Sequence, residues 1–118
     1  MEYRNDPQYK ALEKLCEMAG YNITYATVPD DSIDGEIWAR SDRDSRTILM
    51  PIDETEFENG EQASRILGHE MAHIITGLDS PDEPELREHN ERECDKLGEY
   101  LAQFAVHIAE HEADLMWL

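Results

Sequence analysis

The sequence predicts a small α+β domain: a helix, a three-stranded and mostly antiparallel sheet, and two further helices. Apolar residues recur at helical spacing near both ends of the chain, and runs of β-branched and aromatic residues lie between them. Turn-forming residues separate these segments. With 118 residues, 40% of them hydrophobic, the chain is long enough for one modest core, so we expect a single domain over residues 1–118.

The segment PQYKALEKLCEMAG, residues 7–20, predicts the first helix. Pro7 suits the first turn of a helix, and Gly20 suits the position that ends one. The apolar residues expected on its core-facing side are Leu12, Leu15, Cys16 and Ala19.

The middle of the sequence predicts three strands. YNITYATVP, residues 21–29, is rich in aromatic and β-branched residues and ends at a proline, which indicates a strand. DDSIDG, residues 30–35, is typical of a turn. EIWAR (36–40) and RTILMPI (46–52) flank the polar SDRDS, which predicts an antiparallel hairpin.

From residue 59 onward the apolar period becomes helical. Asn59 and Gln62 resemble a capping box, so we expect a helix over residues 60–76 with Gly77 after its end. The apolar stripe of this helix is Ala63, Leu67, Met71, Ile74 and Leu78.

A long helix completes the chain. Ser80, Pro81 and Glu83 mark its expected start, with Pro84 in its first turn. Apolar residues three, four or seven apart predict its core-facing seam, which is Leu97, Leu101, Phe104, Ile108 and Leu115.

The charge and composition exclude several classes of protein. A net charge of −18 repels phosphate backbones and anionic membranes, so we expect no direct nucleic-acid or membrane binding, and a basic protein or peptide as partner. No apolar run reaches 18 residues, and MEYRNDPQYK lacks the layout of a signal peptide, which indicates a cytoplasmic protein. Two cysteines, Cys16 and Cys94, are too few for a disulfide framework or a thiolate metal cluster.

The stretch ILGHEMAHIITG, residues 66–77, places two histidines and a glutamate on the predicted helix. Residues four apart lie about 40° apart around a helix axis, so His69 and His73 can direct their imidazoles at one point. Glu70 is offset by about 100° from His69 and about 60° from His73, too far round to be a co-ligand but near enough to reach a water on the open side of a metal. His-Glu-x-x-His on a helix is therefore typical of two zinc ligands and a general base.

A catalytic zinc ion takes a third protein ligand, and residues 87–104 offer three candidates. Glu91 lies on one face of the long helix with Asp95, four residues later. Glu93 lies nearly opposite Glu91, so one of the two glutamates is excluded. His89 is the third candidate, and helical periodicity does not choose among them.

GHEMAHIITG followed by ERECDKLGEYLA resembles the gluzincin pattern His-Glu-x-x-His … Glu-x-x-(small)-Asp. The chain is similar to the ImmA/IrrE-like family of small cytosolic zinc metallopeptidases. The order of elements agrees over residues 8–108, and the specific motifs lie at 66–77 and 91–104. The resemblance implies that Glu91 is the third zinc ligand and that Asp95 orients one of the histidines. It also implies a transcriptional repressor as substrate.

The sequence departs from the family pattern at two adjacent positions. Cys94 stands where these families usually have alanine, which places a thiol near the metal. Asp95 is commoner in other gluzincins, since this family more often has asparagine.

These observations predict a zinc-dependent endopeptidase with a minimal zincin-like fold. Glu70 would take a proton from the zinc-activated water and deliver it to the leaving amine. Residues 46–50 could be an edge strand that pairs with an extended substrate. The candidates for a donor that stabilises the oxyanion, among which nothing chooses, are Tyr100, His89 and His107.

Two further interpretations of the sequence stay open. One is a protease fold that keeps zinc but serves as a sensor or partner-binding module. The charge of −18 favours a non-catalytic acidic binding or inhibitor protein, a nucleic-acid mimic or a partner-binding module whose zinc is structural. Three protein ligands would indicate an enzyme, whereas a fourth would close the site. His107 and His111 are also four apart, and we expect them to be a surface pair rather than a second metal site.

Overall fold

A computed structural model describes residues 3–27, 39–53, 56–79 and 81–111, without the side chains of residues 108 and 109. Its elements are a 3-10 turn at Tyr3–Asn5, α1 (Pro7–Met18), β1 (Asn22–Ala26), β2 (Arg40–Asp42), β3 (Thr47–Pro51), α2 (Gly60–Thr76) and α3 (Pro84–Glu110). The α+β class is confirmed. In the described part of the chain, none of the helices combines the length and the apolarity that a bilayer crossing requires.

Helix α1 lies where the sequence predicts it. The Asp6 carboxylate caps it by accepting hydrogen bonds from two backbone N–H groups of the first turn, at 3.0 and 3.2 Å. Gly20 adopts a φ of 83° after its end, a conformation that glycine allows at little cost. Leu12 and Cys16 are buried as expected, but Ala19 is exposed because it follows the last residue of the helix.

The sheet is mixed, and the expectation of a mostly antiparallel sheet is wrong. The strand order is β1-β3-β2, with β1 and β3 parallel and β2 and β3 antiparallel. The hairpin therefore returns β3 to the centre of the sheet. Composition accounts for this order, because the buried Ile48 and Met50 of β3 suit a central strand, whereas the sequence Arg-Ser-Asp of β2 suits an edge.

The hairpin has a shorter loop than the sequence predicts. β2 takes in Ser41 and Asp42, so that the turn comprises residues 43–46 and ends at Arg46, whose φ is 53°. Residues 36–38, which we also assigned to this strand, lie outside the described chain. Because β3 is central, the expectation that residues 46–50 form an edge strand is wrong, and β2 occupies an edge of the described three-stranded sheet instead.

Helix α2 begins and ends as predicted. Asn59 Oδ1 accepts a hydrogen bond from the Gln62 backbone N–H at 2.8 Å, although the Gln62 side chain reaches back to the Glu58 N–H rather than to Asn59. Gly77, with a φ of 73°, ends the helix by donating its N–H to the His73 carbonyl at 3.0 Å.

Helix α3 begins at Pro84, later than the expected start at residues 80–83. A residue that precedes proline is disfavoured in helical conformation, which keeps Glu83 outside the helix. The Arg87 side chain also donates hydrogen bonds to the Pro81 and Asp82 carbonyls, at 2.9 and 3.1 Å, and so holds this segment as a loop. Ser80 lies outside the described residues.

The buried face of α3 is rotated from the predicted seam. Leu97 and Leu101 are only partly buried, and Phe104 is 55% exposed. The Ile108 side chain and Leu115 lie outside the description. Small side chains form much of the buried line, which includes Cys94, Gly98, Ala102 and Ala105.

Two glycines explain why small residues form this face. A β carbon on Gly68 of α2 would lie 2.5 Å from the Gly98 carbonyl oxygen of α3, and one on Gly98 would lie 2.6 Å from the His69 nitrogen. The two backbones are therefore in direct contact. Any larger residue at either position would separate the helices.

We predict that Gly98→Ala destabilises the protein, by about 3 kcal/mol or more, because the added carbon meets backbone atoms that cannot rotate away. Helix propensity alone predicts the opposite sign, since alanine is favoured over glycine by about 1 kcal/mol within a helix. Urea unfolding followed by circular dichroism measures the change. Gln103→Ala, at an exposed position of the same helix, is the control, and a stabilised Gly98→Ala protein would contradict the close contact.

Candidate metal centre

The two histidines of α2 direct their rings at the same point. Their Nε2 atoms lie 3.0 Å apart, and both side chains are 12% exposed. His69 follows the glycine that touches α3, and His73 lies one helical turn later. The predicted pairing of the two imidazoles is present.

Glu91 of α3 completes a group of three. Its carboxylate oxygens lie 2.7 Å from His69 Nε2 and 3.2 Å from His73 Nε2. The three ligand atoms all lie within 4.8 Å of one another, and no other such group occurs among the residues described. The structure therefore brings Glu91, rather than Glu93 or His89, to the histidines.

The spacing of these atoms fits a small divalent metal ion. Two ligand atoms about 2.0 Å from one ion at the tetrahedral angle lie about 3.3 Å apart. The observed separations of 2.7, 3.0 and 3.2 Å come close to this value. The cluster can therefore hold a metal ion after shifts of a few tenths of an ångström.

The other nitrogen of each ring is held by an acceptor. His69 Nδ1 lies 2.6 Å from Asp95 Oδ1, and His73 Nδ1 lies 2.6 Å from the Leu78 carbonyl oxygen. A carbonyl oxygen and a carboxylate can only accept, so each Nδ1 carries the proton and donates it. Each Nε2 then faces the carboxylate of Glu91, where it can serve as a metal ligand.

The carbonyl of Leu78 was not anticipated as part of the site. Every residue has a backbone carbonyl oxygen, so the identity of Leu78 does not indicate that its carbonyl accepts a hydrogen bond from His73. The left-handed turn at Gly77 directs the chain back towards His73, so this helix end is the feature of the sequence that could have indicated it.

Glu70 lies beside the cluster without joining it. Its side chain is half-buried and lines the same cavity, but the group of three ligand atoms does not include it. This position agrees with the helical offset from His69 that the sequence predicts. Its carboxylate can exchange a proton with a molecule held in the cavity.

Cys94 lies behind His73 rather than in the cluster. Its Sγ atom is 3.5 Å from His73 Nδ1, the nitrogen that faces away from Glu91. Burial raises the pKa of the Cys94 thiol, so the neutral form persists at neutral pH. The thiol therefore packs against the ring and adds no fourth ligand.

The cluster lies in an open cavity of about 900 Å³. The facing sides of α2 and α3 supply His69, Glu70, His73, Glu91 and Asp95. The strand β2 and the turn that follows it form the opposite wall, with the charged residues Arg40, Asp42, Arg43 and Asp44. A peptide-sized molecule can thus reach the cluster.

The candidate oxyanion donors lie elsewhere. Tyr100 is 73% exposed, and His89 and His107 are also on the surface. None of the three lines the cavity. Arg40 and Arg43 of the hairpin do line it, but sequence reasoning missed them because only the tertiary structure brings this part of the chain to the end of α2.

The remaining candidates from the sequence, Glu93, His107 and His111, lie at the surface of α3 or, for His111, directly after its last residue. Glu93 contacts Lys96 at 3.4 Å. The rings of His107 and His111 contact each other at a tilt of 51° with centroids 4.5 Å apart, and no group of three potential ligands in the described chain includes them. They form the surface pair that the sequence predicts.

No family model matches the chain, and searches of curated proteins and of solved structures also find no match. What the protein does must therefore be inferred from the three-residue cluster and from the cavity around it.

We predict that the purified protein binds one divalent metal ion per chain and that His73→Ala and Glu91→Ala each abolish this binding. Asp95→Asn should weaken it by about 10- to 100-fold, because the amide holds the His69 ring less firmly. Elemental analysis after dialysis, with a competing chelator for affinity, measures both effects. The double variant His107→Ala/His111→Ala is the control, and metal retained by His73→Ala and Glu91→Ala would overturn this assignment.

Proposed function

We propose that this protein is a zinc-dependent endopeptidase with a minimal zincin-like arrangement of its helices. The observation that carries the proposal is the convergence of three ligands in an open cavity beside a fourth carboxylate that is not a ligand. Structural zinc sites are closed by four protein ligands, whereas catalytic sites use three and keep one position open. The described residues supply three.

The donor set favours zinc among the divalent metals. Two neutral imidazoles and one carboxylate are typical of catalytic zinc, whereas magnesium and calcium prefer oxygen ligands alone. When bound, the zinc ion would supply a water molecule acidified towards neutral pH and a positive charge for the scissile carbonyl oxygen.

The residues around the cluster have separate tasks in this proposal. Asp95 and the Leu78 carbonyl hold the two rings in the tautomer that directs each Nε2 at the cluster. Glu70 accepts a proton from the attacking water and passes it to the nitrogen of the leaving amine.

The strand β2 supports a peptide as the substrate. Among the strands that the structure describes, it lies at an edge of the sheet, and its residues Arg40, Ser41 and Asp42 line the cavity that holds the cluster. An extended peptide can therefore pair with its backbone and cross the cluster. A transcriptional repressor is the substrate that the sequence resemblance favours.

The charge of −18 supports a second candidate, an acidic binding protein with a structural or vestigial metal site. The two functions place different demands on Glu70. A binding protein has no use for a free carboxylate beside an open coordination position, whereas hydrolysis requires one. The position of Glu70 in the cavity therefore favours the enzyme.

We expect Glu70→Gln to retain the metal and to lose peptide hydrolysis by at least about 100-fold, because an amide cannot accept the proton of the water. The assay follows cleavage of an unstructured peptide library by the zinc-loaded protein with mass spectrometry. Glu93→Gln, outside the cavity, is the matched control. Full activity in the Glu70→Gln protein would sink this mechanism.

A further inference from the structure

Arg43 is a basic residue at the metal cavity of a strongly acidic chain. It lies in the turn between β2 and β3 and lines the cavity. Its guanidinium covers the C-terminal end of α2, since a β carbon on Gly77 would lie 3.0 Å from its Cζ and Nη1 atoms. The side chain therefore connects the hairpin wall to the helix that carries both histidines.

The guanidinium of Arg43 has no protein partner within the described ranges 3–27, 39–53, 56–79 and 81–111. Elsewhere, Arg87 donates to two carbonyls and Arg92 pairs with Glu88 at 3.6 Å. The neighbouring Asp42 instead accepts a hydrogen bond from the Asp44 backbone N–H at 3.1 Å. Arg43 thus presents a fork of N–H donors to whatever occupies the cavity.

The position of Arg43 determines how far its contact on a bound peptide lies from the peptide bond held at the cluster. Gly77 follows His73 by four residues, which corresponds to about 6 Å along the helix axis. An extended peptide advances about 3.3 Å per residue. A group that contacts Arg43 therefore lies about two residues from a peptide bond held at the cluster.

We propose that Arg43 is a specificity-determining residue that binds a carboxylate of the substrate peptide, about two residues from the bond that is cleaved. This inference rests on the proposed peptidase function and narrows its substrates to peptides with an acidic group at that position. A guanidinium matches a carboxylate with two parallel hydrogen bonds. The carboxylate can be an Asp or Glu side chain or the C-terminus of the peptide.

The net charge of −18 favours a basic partner, and the carboxylates of the cavity, Asp42 and Asp44 among them, weaken this contact, whereas distant charges hardly affect it. At physiological ionic strength, exposed charges more than about 8 Å apart are largely screened from one another. The contact within the cavity is direct and is screened far less. Overall charge therefore affects how fast a peptide arrives, and Arg43 affects which peptide stays bound.

The test uses three degenerate peptide pools. The first contains Asp and Glu and is amidated at its C-terminus. The second replaces Asp and Glu with Asn and Gln and is also amidated. The third matches the second but has a free C-terminal carboxylate, so comparison of the pools distinguishes a side-chain from a terminal carboxylate.

Each pool is presented to zinc-loaded, immobilised Glu70→Gln protein, and captured peptides are quantified by mass spectrometry. We expect one of the two carboxylate-bearing pools to be captured about tenfold better than the second pool. When Arg43→Gln is combined with Glu70→Gln, the carboxylate-bearing pool should be captured about as well as the second pool, so that the ratio of the two falls to about one. Arg46→Gln, in the same turn but outside the cavity, is the matched control and should keep it.

Cleavage of the pools by the zinc-loaded wild-type protein separates the two proposals. Equal cleavage of all three pools would leave a peptidase and overturn the role of Arg43. Capture that depends on Arg43, without cleavage by the wild-type protein, would overturn the peptidase and leave a carboxylate-binding site. Circular dichroism of each variant shows that it is folded, and Arg43→Lys, which keeps the charge but not the fork, should retain only part of the preference.

Discussion

The backbone contact between Gly68 and Gly98 determines the geometry of the whole site. It brings α2 and α3 closer than any side chain at these positions would allow. His69 follows Gly68 directly, and Glu91 and Asp95 lie within two turns of Gly98. A separation of the helices by even one ångström would move the carboxylates away from ring nitrogens that they now meet at 2.6 and 2.7 Å. Two glycines, which have no side chains, thus position His69, Glu91 and Asp95.

This geometry would also link the binding of a metal ion to the stability of the fold. The helices hold the Nε2 atoms of His69 and His73 and the carboxylate of Glu91 within reach of one ion. Any ion that binds the folded chain and not the unfolded one stabilises the fold by mass action. A divalent ion held by these three ligands would therefore join α2 to α3 at a second point, beside the glycine contact.

Local sequence signals predict α2, but they do not predict the third ligand, the rotation of α3 or the order of the strands. Asn59 and Gly77 each act within one helical turn, so the bounds of α2 and the pairing of His69 with His73 follow from the sequence. The choice of Glu91 over Glu93 and His89 depends on how α3 is rotated, and its predicted seam was misplaced because periodicity gives weight to large apolar residues. A contact between glycines contains no large apolar side chain, so periodicity does not reveal it. The central position of β3 depends on pairing with β1, which is not local.

The polar sequence of β2 explains both the sheet order and the shape of the cavity. A strand with charged residues at both ends is poorly suited to the centre of a sheet, so the apolar β3 takes that place. At the edge, β2 faces α2 and carries the hairpin turn to the helix end at Gly77. The same residues that made this segment resemble a loop therefore become the wall opposite the cluster. An apolar β2 would compete for the central position, and the cavity would lose both its pairing edge and the guanidinium of Arg43.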